Sequence, residues 1–154
     1  MVGGILLRSL VWVGVGMAAL PCAHASLGGN AASIDGETLA WQGVMNAEQG
    51  PHYLVREITN GSGMDIREYS NARGIVFAVS WKDPAPPDLR RLLGTYFGGY
   101  AAALASLDHP GLHRSVRIAA PGVVVESGGH LRAYAGRAYL PAEIPPGVTL
   151  TALR

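Results

Sequence analysis

The feature that most constrains the fold is a stretch in the middle of the chain, residues 74–100, with the sequence GIVFAVSWKDPAPPDLRRLLGTYFGGY. It begins with an almost wholly apolar run, continues through a corner rich in proline, and ends with apolar residues at helical spacing. Proline stops a strand because it has no N–H group to donate to a neighbouring strand. The stretch therefore predicts a strand, a stiff corner and a helix in succession, which is typical of an α+β fold.

The apolar run predicts a central β-strand. Side chains alternate between the two faces of a strand, so one face would carry Ile75, Phe77, Val79 and Trp81, and the other Val76, Ala78 and Ser80. Because both faces are mostly apolar, we expect this strand to lie inside its sheet and to be covered on at least one side.

The residues after the proline corner predict a long helix over about residues 87–106. Asp88 would lie in its first turn, where a carboxylate meets the positive end of the helix dipole. The apolar stripe that would pack on the sheet consists of Leu89, Leu92, Leu93, Tyr96, Phe97, Tyr100 and Leu104. We interpret its aromatic residues as core rather than as a ligand-stacking surface.

The rest of the sheet is predicted from alternation and turn residues. Further strands are expected at 52–59, 64–69, 116–119, 123–126 and 131–140, with turns at 60–63, 71–74, Pro121-Gly122 and Gly128-Gly129. A short helix is expected near residues 35–46, where Ser33 or Asp35 would be its cap. The prediction is an α+β domain in which a curved antiparallel sheet of about six strands packs against one long helix.

The N-terminal residues 1–25 have the pattern of a secretory signal peptide. Arg8 precedes an apolar run over 10–20, and Ala23-x-Ala25 is a small-residue cleavage site. Lipidation at Cys22, or a retained anchor, is the alternative, although Pro21 is a poor residue immediately before a lipidated cysteine. Cleavage would leave a single exported domain, residues 26–154, in the periplasm or outside the cell.

Cleavage would also remove the chain's one cysteine and its Arg8. The remaining domain would have no disulfide and no thiol nucleophile, and its lysines and arginines would equal its acidic residues in number. No basic patch stands out, so we expect no nucleic-acid partner. We also expect no transmembrane span after signal cleavage, because no sufficiently long apolar run remains.

The candidate binding residues lie around the paired glycines. If Gly128-Gly129 forms a turn, a neighbouring cluster would be able to bind a carboxylate or phosphate through the guanidinium of Arg132. The alternative is a plain hairpin turn beside a solvated sheet face. The cluster consists of Glu126, His130, Arg132 and Tyr134.

The sequence lacks the motifs of the common catalytic and cofactor sites. It has no Gly-x-Ser-x-Gly elbow, no Walker loop and no dinucleotide fingerprint. His109 and His113 have a metal-ligand spacing, but Pro110 and Gly111 between them indicate a polar loop, so we predict no metal and no cofactor. We lean away from an enzyme and favour a non-catalytic binding or envelope-associated module. The alternative is a small hydrolase that uses His130 with Glu126 and Arg132.

Four segments together resemble a known family. They are GIVFAVSW, PDLRRLLGTYF, ESGGHLRAYAGRAYLP and PPGV, in this order after the predicted signal peptide. They resemble the bacterial exported family catalogued as domain of unknown function 2844, from about Tyr53 to the C-terminus. The resemblance implies a small proteobacterial envelope or secreted protein. For the favoured binding module, we expect the partner to be an unknown small ligand or an envelope protein. It implies no activity, substrate or catalytic residue, so it assigns no functional site.

Overall fold

A computed structural model describes residues 26–30, 43–107 and 115–154. The predicted signal peptide, most of the predicted short helix, and both His109 and His113 lie outside these residues. The strands are β1 (Val44–Gln49), β2 (Leu54–Thr59), β3 (Asp65–Ser70), β4 (Val76–Asp83), β5 (Ser115–Ala120), β6 (Val123–His130) and β7 (Ala133–Tyr139). The helices are α1 (Leu89–Leu93) and α2 (Phe97–Ala105), which a 3-10 turn at Gly94–Tyr96 joins.

The strands form one antiparallel sheet in the order β1-β2-β3-β4-β7-β6-β5. Two meanders therefore meet where β7 pairs with β4, and the helical segment connects them in the chain. β1 and β5 lie at the edges of the described sheet, which is open. The predicted antiparallel α+β arrangement is confirmed, but the predicted count of six strands is wrong, because the described residues form seven.

The additional strand is β1. Val44, Met45 and Asn46 were expected at the end of the short helix, but they pair in register with β2 as part of β1. Met45 packs against the core, whereas most of its neighbours in β1 are exposed. A single core-facing side chain leaves little hydrophobic alternation in the sequence, and this is why the edge strand was missed.

A bulge in β4 changes which of its side chains share a face. Tyr69 pairs with Ala78 and Ser70 with Val76, so Phe77 is an extra residue between them. In a bulge, two residues of one strand oppose a single residue of its neighbour, which interrupts the alternation of side chains. Phe77 consequently packs on the face opposite Val79, and the prediction that they share a face is wrong.

The face that carries α1 and α2, which we call the helix face, holds the larger core cluster. All seven side chains of the predicted helical stripe contact this cluster, which confirms the stripe. Asp88 caps α1, where its Oδ1 accepts a hydrogen bond from the Arg91 N–H at 3.1 Å. Gly94 then ends α1 with a φ of 53°, a conformation that favours glycine.

The opposite face is covered by residues 141–154, which we call the C-terminal strap. Its Leu153 is 1% exposed and belongs to a second cluster with Tyr69, Phe77 and Tyr139. The strap contains 3-10 turns at Pro141–Glu143 and Leu150–Ala152. The sheet is thus packed on both faces, by the helices on one and by the strap on the other, and we call the second the strap face.

The hairpin between β6 and β7 differs from the prediction. Gly128 and Gly129 are paired strand residues, so the predicted Gly-Gly turn is wrong. The turn consists instead of Leu131 and Arg132, and Arg132 adopts a φ of 67°. A left-handed conformation is uncommon for arginine, so this tight turn is imposed by the pairing of its two strands.

Candidate functional site

A row of polar side chains crosses the strap face at right angles to the strands. Each member is the cross-strand partner of the next, so the sheet register alone brings them together. Opposite charges stand next to each other at several positions, which gives ion pairs on both sides of a central serine. From β1 to β5 the row consists of Asn46, Glu57, Arg67, Ser80, Arg137, Glu126 and Arg117.

The two arginines beside Ser80 make the shortest of these contacts. Arg67 donates from Nε and Nη2 to Glu57 Oε1, at 2.9 and 2.6 Å. Arg137 donates from Nε to Glu126 Oε2 at 2.8 Å, and its Nη2 lies 2.6 Å from the same oxygen. Arg117 Nε approaches the other oxygen of Glu126, Oε1, at 3.2 Å. Glu126 therefore holds two guanidinium groups with its two carboxylate oxygens.

A cleft of about 620 Å³ opens beside the strap, over the half of the sheet that contains β4, β7, β6 and β5. Its floor is made of small residues, Ser115, Gly128, Ala135 and Gly136. Among the described residues that line it, four are cationic and one is a carboxylate. The cleft is therefore positively charged over a flat floor; the charged residues are Lys82, Arg117, Arg137, Arg154 and Glu126.

The electrostatics of Glu126 follow from its two arginine partners. Desolvation by burial acts to raise its pKa, but the hydrogen bonds and charges of Arg137 and Arg117 outweigh it and lower the pKa of Glu126. Hydrogen bonds with Tyr139 and Glu126 raise the pKa of Arg117. Both groups therefore stay charged near neutral pH. A carboxylate with a lowered pKa is a weak general base, so this one is suited to holding arginines in place.

The structure disperses the four residues that the sequence suggested as one binding cluster. Glu126 lines the cleft, but His130 lies four residues further along β6, about 13 Å away at the rise of a strand. His130 and Arg132 are exposed at the tip of the hairpin. Tyr134 lies on the helix face, in a smaller pocket with Trp81. The structure does not bring Glu126 together with the other three, and their role in binding stays a prediction.

The sequence reasoning missed the other charged residues of the cleft. Arg117 and Arg137 join the row because each is the cross-strand partner of Glu126, one on β5 and one on β7. The alternation of side chains along β5 and β7 would have been enough to assign each arginine to one face of the sheet. Their meeting at Glu126 depends on the registers of two hairpins, which no single segment of the sequence specifies.

Two features are absent from the part of the chain that the structure describes. Within residues 26–30, 43–107 and 115–154, no three His, Cys, Asp or Glu side chains cluster as metal ligands would. In the same residues, no helix is both long enough and apolar enough to cross a membrane.

Comparisons with known proteins give a family for the chain. A family model described as "Protein of unknown function (DUF2844)" matches residues 23–153. A search of curated proteins found no match, and a search of solved structures found none either. The matched range includes every described strand and helix and nearly all of the strap. The chain therefore belongs to the family of proteins of unknown function DUF2844.

Proposed function

We propose that this protein is an exported, non-catalytic binding module of the bacterial envelope, either periplasmic or secreted, that holds an anionic ligand in the cleft on the strap face. The single observation that supports this most strongly is the excess of cationic side chains around a floor of small residues. The export part of the proposal rests on the signal-peptide pattern of residues 1–25.

The charged rim is suited to a ligand that exchanges. Arg117 has a side chain that is 60% exposed, and Lys82 is exposed at the end of β4. Ion pairs between exposed groups are weak, because water competes with them. A carboxylate, phosphate or sulfonate group on a ligand would therefore be able to engage Arg117 or Lys82 at little expense to the fold.

The floor of the cleft also restricts the shape of the ligand. Ser115, Gly128 and Ala135 keep their side chains short or absent, so a flat group is able to approach the main chain closely. The volume of about 620 Å³ falls within the usual range for small-molecule sites. The ligand class that fits both features is an amphipathic anion, with an acidic group at the rim and a flat apolar body on the floor.

Binding is a better account of the cleft than hydrolysis. Glu126 is held as a charged carboxylate by two arginines, and its lowered pKa makes it a poor proton acceptor. His130, the base of the alternative hydrolase mechanism, is at the hairpin tip and does not line the cleft. A charged rim around a small-residue floor needs no such base, because it acts through complementary charge and shape alone.

The test uses anilinonaphthalene sulfonate, a fluorescent anion with a sulfonate group and flat aromatic rings. We expect saturable binding to the full chain, and Arg117→Ala should weaken it roughly tenfold, because one charge-assisted contact contributes about 1.5 kcal/mol. The matched control is Arg132→Ala, which removes the same charge at the hairpin tip and should leave the dissociation constant unchanged.

Equal loss of affinity in both variants would reduce the effect to net charge and would contradict a site in the cleft. A natural ligand is sought separately, by native mass spectrometry of the protein purified from a periplasmic extract. A stoichiometric acidic molecule, lost in Arg117→Ala and retained in Arg132→Ala, would identify the ligand.

A further inference from the structure

Arg137 belongs both to the cleft and to the anchoring of the strap. Its Nε and Nη2 engage Glu126, and its Nη1 donates to the main-chain oxygen of Leu150 in the strap. Arg67 repeats this arrangement on the other side of Ser80, where its Nη1 donates to the main-chain oxygen of Arg154 at 2.7 Å. Each arginine, from a strand next to that of Ser80, thus divides its guanidinium group between a glutamate and a main-chain oxygen of the strap.

The hydroxyl of Tyr69 belongs to the same set of polar contacts beside Ser80. The hydroxyl of Tyr69 donates to the main-chain oxygen of Arg154 at 3.0 Å and lies 3.4 Å from Ser80 Oγ. Two guanidinium groups and the Tyr69 hydroxyl therefore donate to oxygen atoms of the strap, and Ser80 Oγ lies beside that hydroxyl. Such a set of donors is typical of a site for a carboxylate, sulfonate or phosphate.

The last strap residues are anchored by apolar packing and by hydrogen bonds to their main-chain oxygens. The side chain of Leu153 is buried, and the oxygens of Leu150 and Arg154 accept the arginine hydrogen bonds. The main-chain N–H groups there bond within the strap itself: Val148 to Pro145, Ala152 to Thr149, and Leu153 to Leu150. These bonds hold short turns that the packing of the strap on the sheet stabilises, so release would open the amides of Ala152 and Leu153 to exchange. The free energy that opposes release includes the exposure of Leu153 and of Val148 and Leu150, which pack against the same cluster.

The strap separates two depressions over one continuous row of side chains. The cleft lies on one side, and a second depression of about 460 Å³ lies on the other, over β1, β2 and β3. Arg154 lines both of them. Beneath the strap, the polar row runs without interruption from Glu57 to Arg117.

We propose that Arg67, Ser80 and Arg137 form an anion site that residues 148–154 of the strap fill as an internal occupant, and that an anionic ligand entering the cleft displaces them. The Leu150 oxygen that Arg137 holds is a neutral carbonyl, and an anionic oxygen accepts a hydrogen bond from a guanidinium group more strongly than such a carbonyl does. The strap is then a competitor that sets the affinity of the cleft, with Leu153 as its apolar anchor. This proposal rests on the proposed function.

The test is hydrogen exchange of the full wild-type chain, read by mass spectrometry, with and without saturating anilinonaphthalene sulfonate. The amides of Ala152 and Leu153 should exchange at least about fivefold faster with the sulfonate bound, because the ligand populates the released strap. The internal control is the amide of Glu143, whose side chain is held by Asn71 and Arg73 at the start of the strap and should not respond.

A second measurement uses strap variants. Leu153→Ala, or the milder Val148→Ala, should tighten sulfonate binding several-fold, because each weakens the internal competitor. Weaker binding in these variants would make the strap a wall of the cleft and would overturn the proposal. Saturable binding with unchanged exchange of Ala152 and Leu153 would also overturn it, while leaving the proposed function in place. Absence of saturable binding to the wild-type chain would remove both.

Discussion

Arg67 and Arg137 take equivalent positions on the two sides of Ser80, and each divides its guanidinium group between a glutamate and the strap. The glutamates are Glu57 and Glu126, which stand on the strands beyond. The strap acceptors are main-chain oxygens, so the contact depends on where the strap lies and not on its side chains. The charged row and the strap are therefore coupled through two arginines, and a change at either glutamate reaches the strap through a single side chain.

The first prediction concerns the pH dependence that Glu126 confers. Its pKa in the folded protein is lowered by Arg137 and Arg117 against the opposing effect of burial. A lowered folded pKa means that the carboxylate contributes stability above its unfolded pKa, and that this stability is lost as the pH falls through the folded value. Glu126→Gln should therefore lower the thermal midpoint at neutral pH, by the equivalent of about 1 kcal/mol, and the deficit should disappear at an acid pH below that folded value.

Thermal unfolding followed by circular dichroism at both pH values measures this effect. Glu48→Gln is the control, because Glu48 is exposed on the edge strand β1 and its replacement should change the midpoint little at either pH. A deficit in Glu126→Gln that persists unchanged in acid would mean that shape, and not charge, accounts for it.

The second prediction tests the two cores separately. Phe77 and Leu93 are both 0% exposed, but Phe77 packs on the strap face and Leu93 on the helix face. Phe77→Ala should lower the free energy of unfolding by about 3–5 kcal/mol and Leu93→Ala by about 2–5 kcal/mol. Because the sheet separates them, the losses should add in the double variant.

Denaturant unfolding of the two single variants and the double variant gives these values. Leu131→Ala supplies the comparison, since Leu131 is 80% exposed at the hairpin tip and its loss should stay within about 0.5 kcal/mol. If the two losses of unfolding free energy did not add in the double variant, the core clusters on the two faces would be energetically coupled through the sheet.

Local sequence patterns were sufficient to predict the helical stripe, whose apolar residues have a regular spacing, and two of the turns. The helical stripe repeats over four turns and has one consistent partner surface, so its period of about 3.6 residues survives the 3-10 turn at Gly94–Tyr96. The turns at 60–63 and 71–74 were also predicted correctly, because their asparagines bond to the local main chain: Asn60 accepts from Met64 N–H and Asn71 from Ile75 N–H.

The β6–β7 hairpin shows why the turn residues alone were misleading. A two-residue turn at Gly128-Gly129 would have set Val125 opposite Arg132. The observed register sets Val125 opposite Ala138 and Val124 opposite Tyr139, so apolar residues face apolar residues across the strands. The hydrophobic match decides the register, and Arg132 accepts an unfavourable φ in consequence.

The candidate site was beyond prediction for a related reason. The residue types around Phe77 do not indicate a bulge. The bulge nevertheless decides which side chains of β4 reach the strap face. Beyond Ser80, the row depends on three more registers, which bring Arg137 beside Ser80, Glu126 beside Arg137 and Arg117 beside Glu126. Small errors in any one of them would move each charged side chain to the other face.

The last prediction concerns Gly136, which lies beneath the cleft. A Cβ atom at this position would stand 2.4 Å from Trp81 Cζ2 and 2.5 Å from the main-chain oxygen of Glu126. Trp81 is buried and the second contact is backbone, so neither atom is able to move aside freely. Gly136→Ala should therefore destabilise the protein by roughly 1–3 kcal/mol.

The matched control is Gly98→Ala in α2, where an added Cβ would have nothing within 4 Å. Alanine is the better helix former, so this variant should gain up to about 1 kcal/mol. Chemical denaturation of both variants checks the opposite signs. If Gly136→Ala proved as stable as the wild-type chain, Trp81 would not lie against β7 as described.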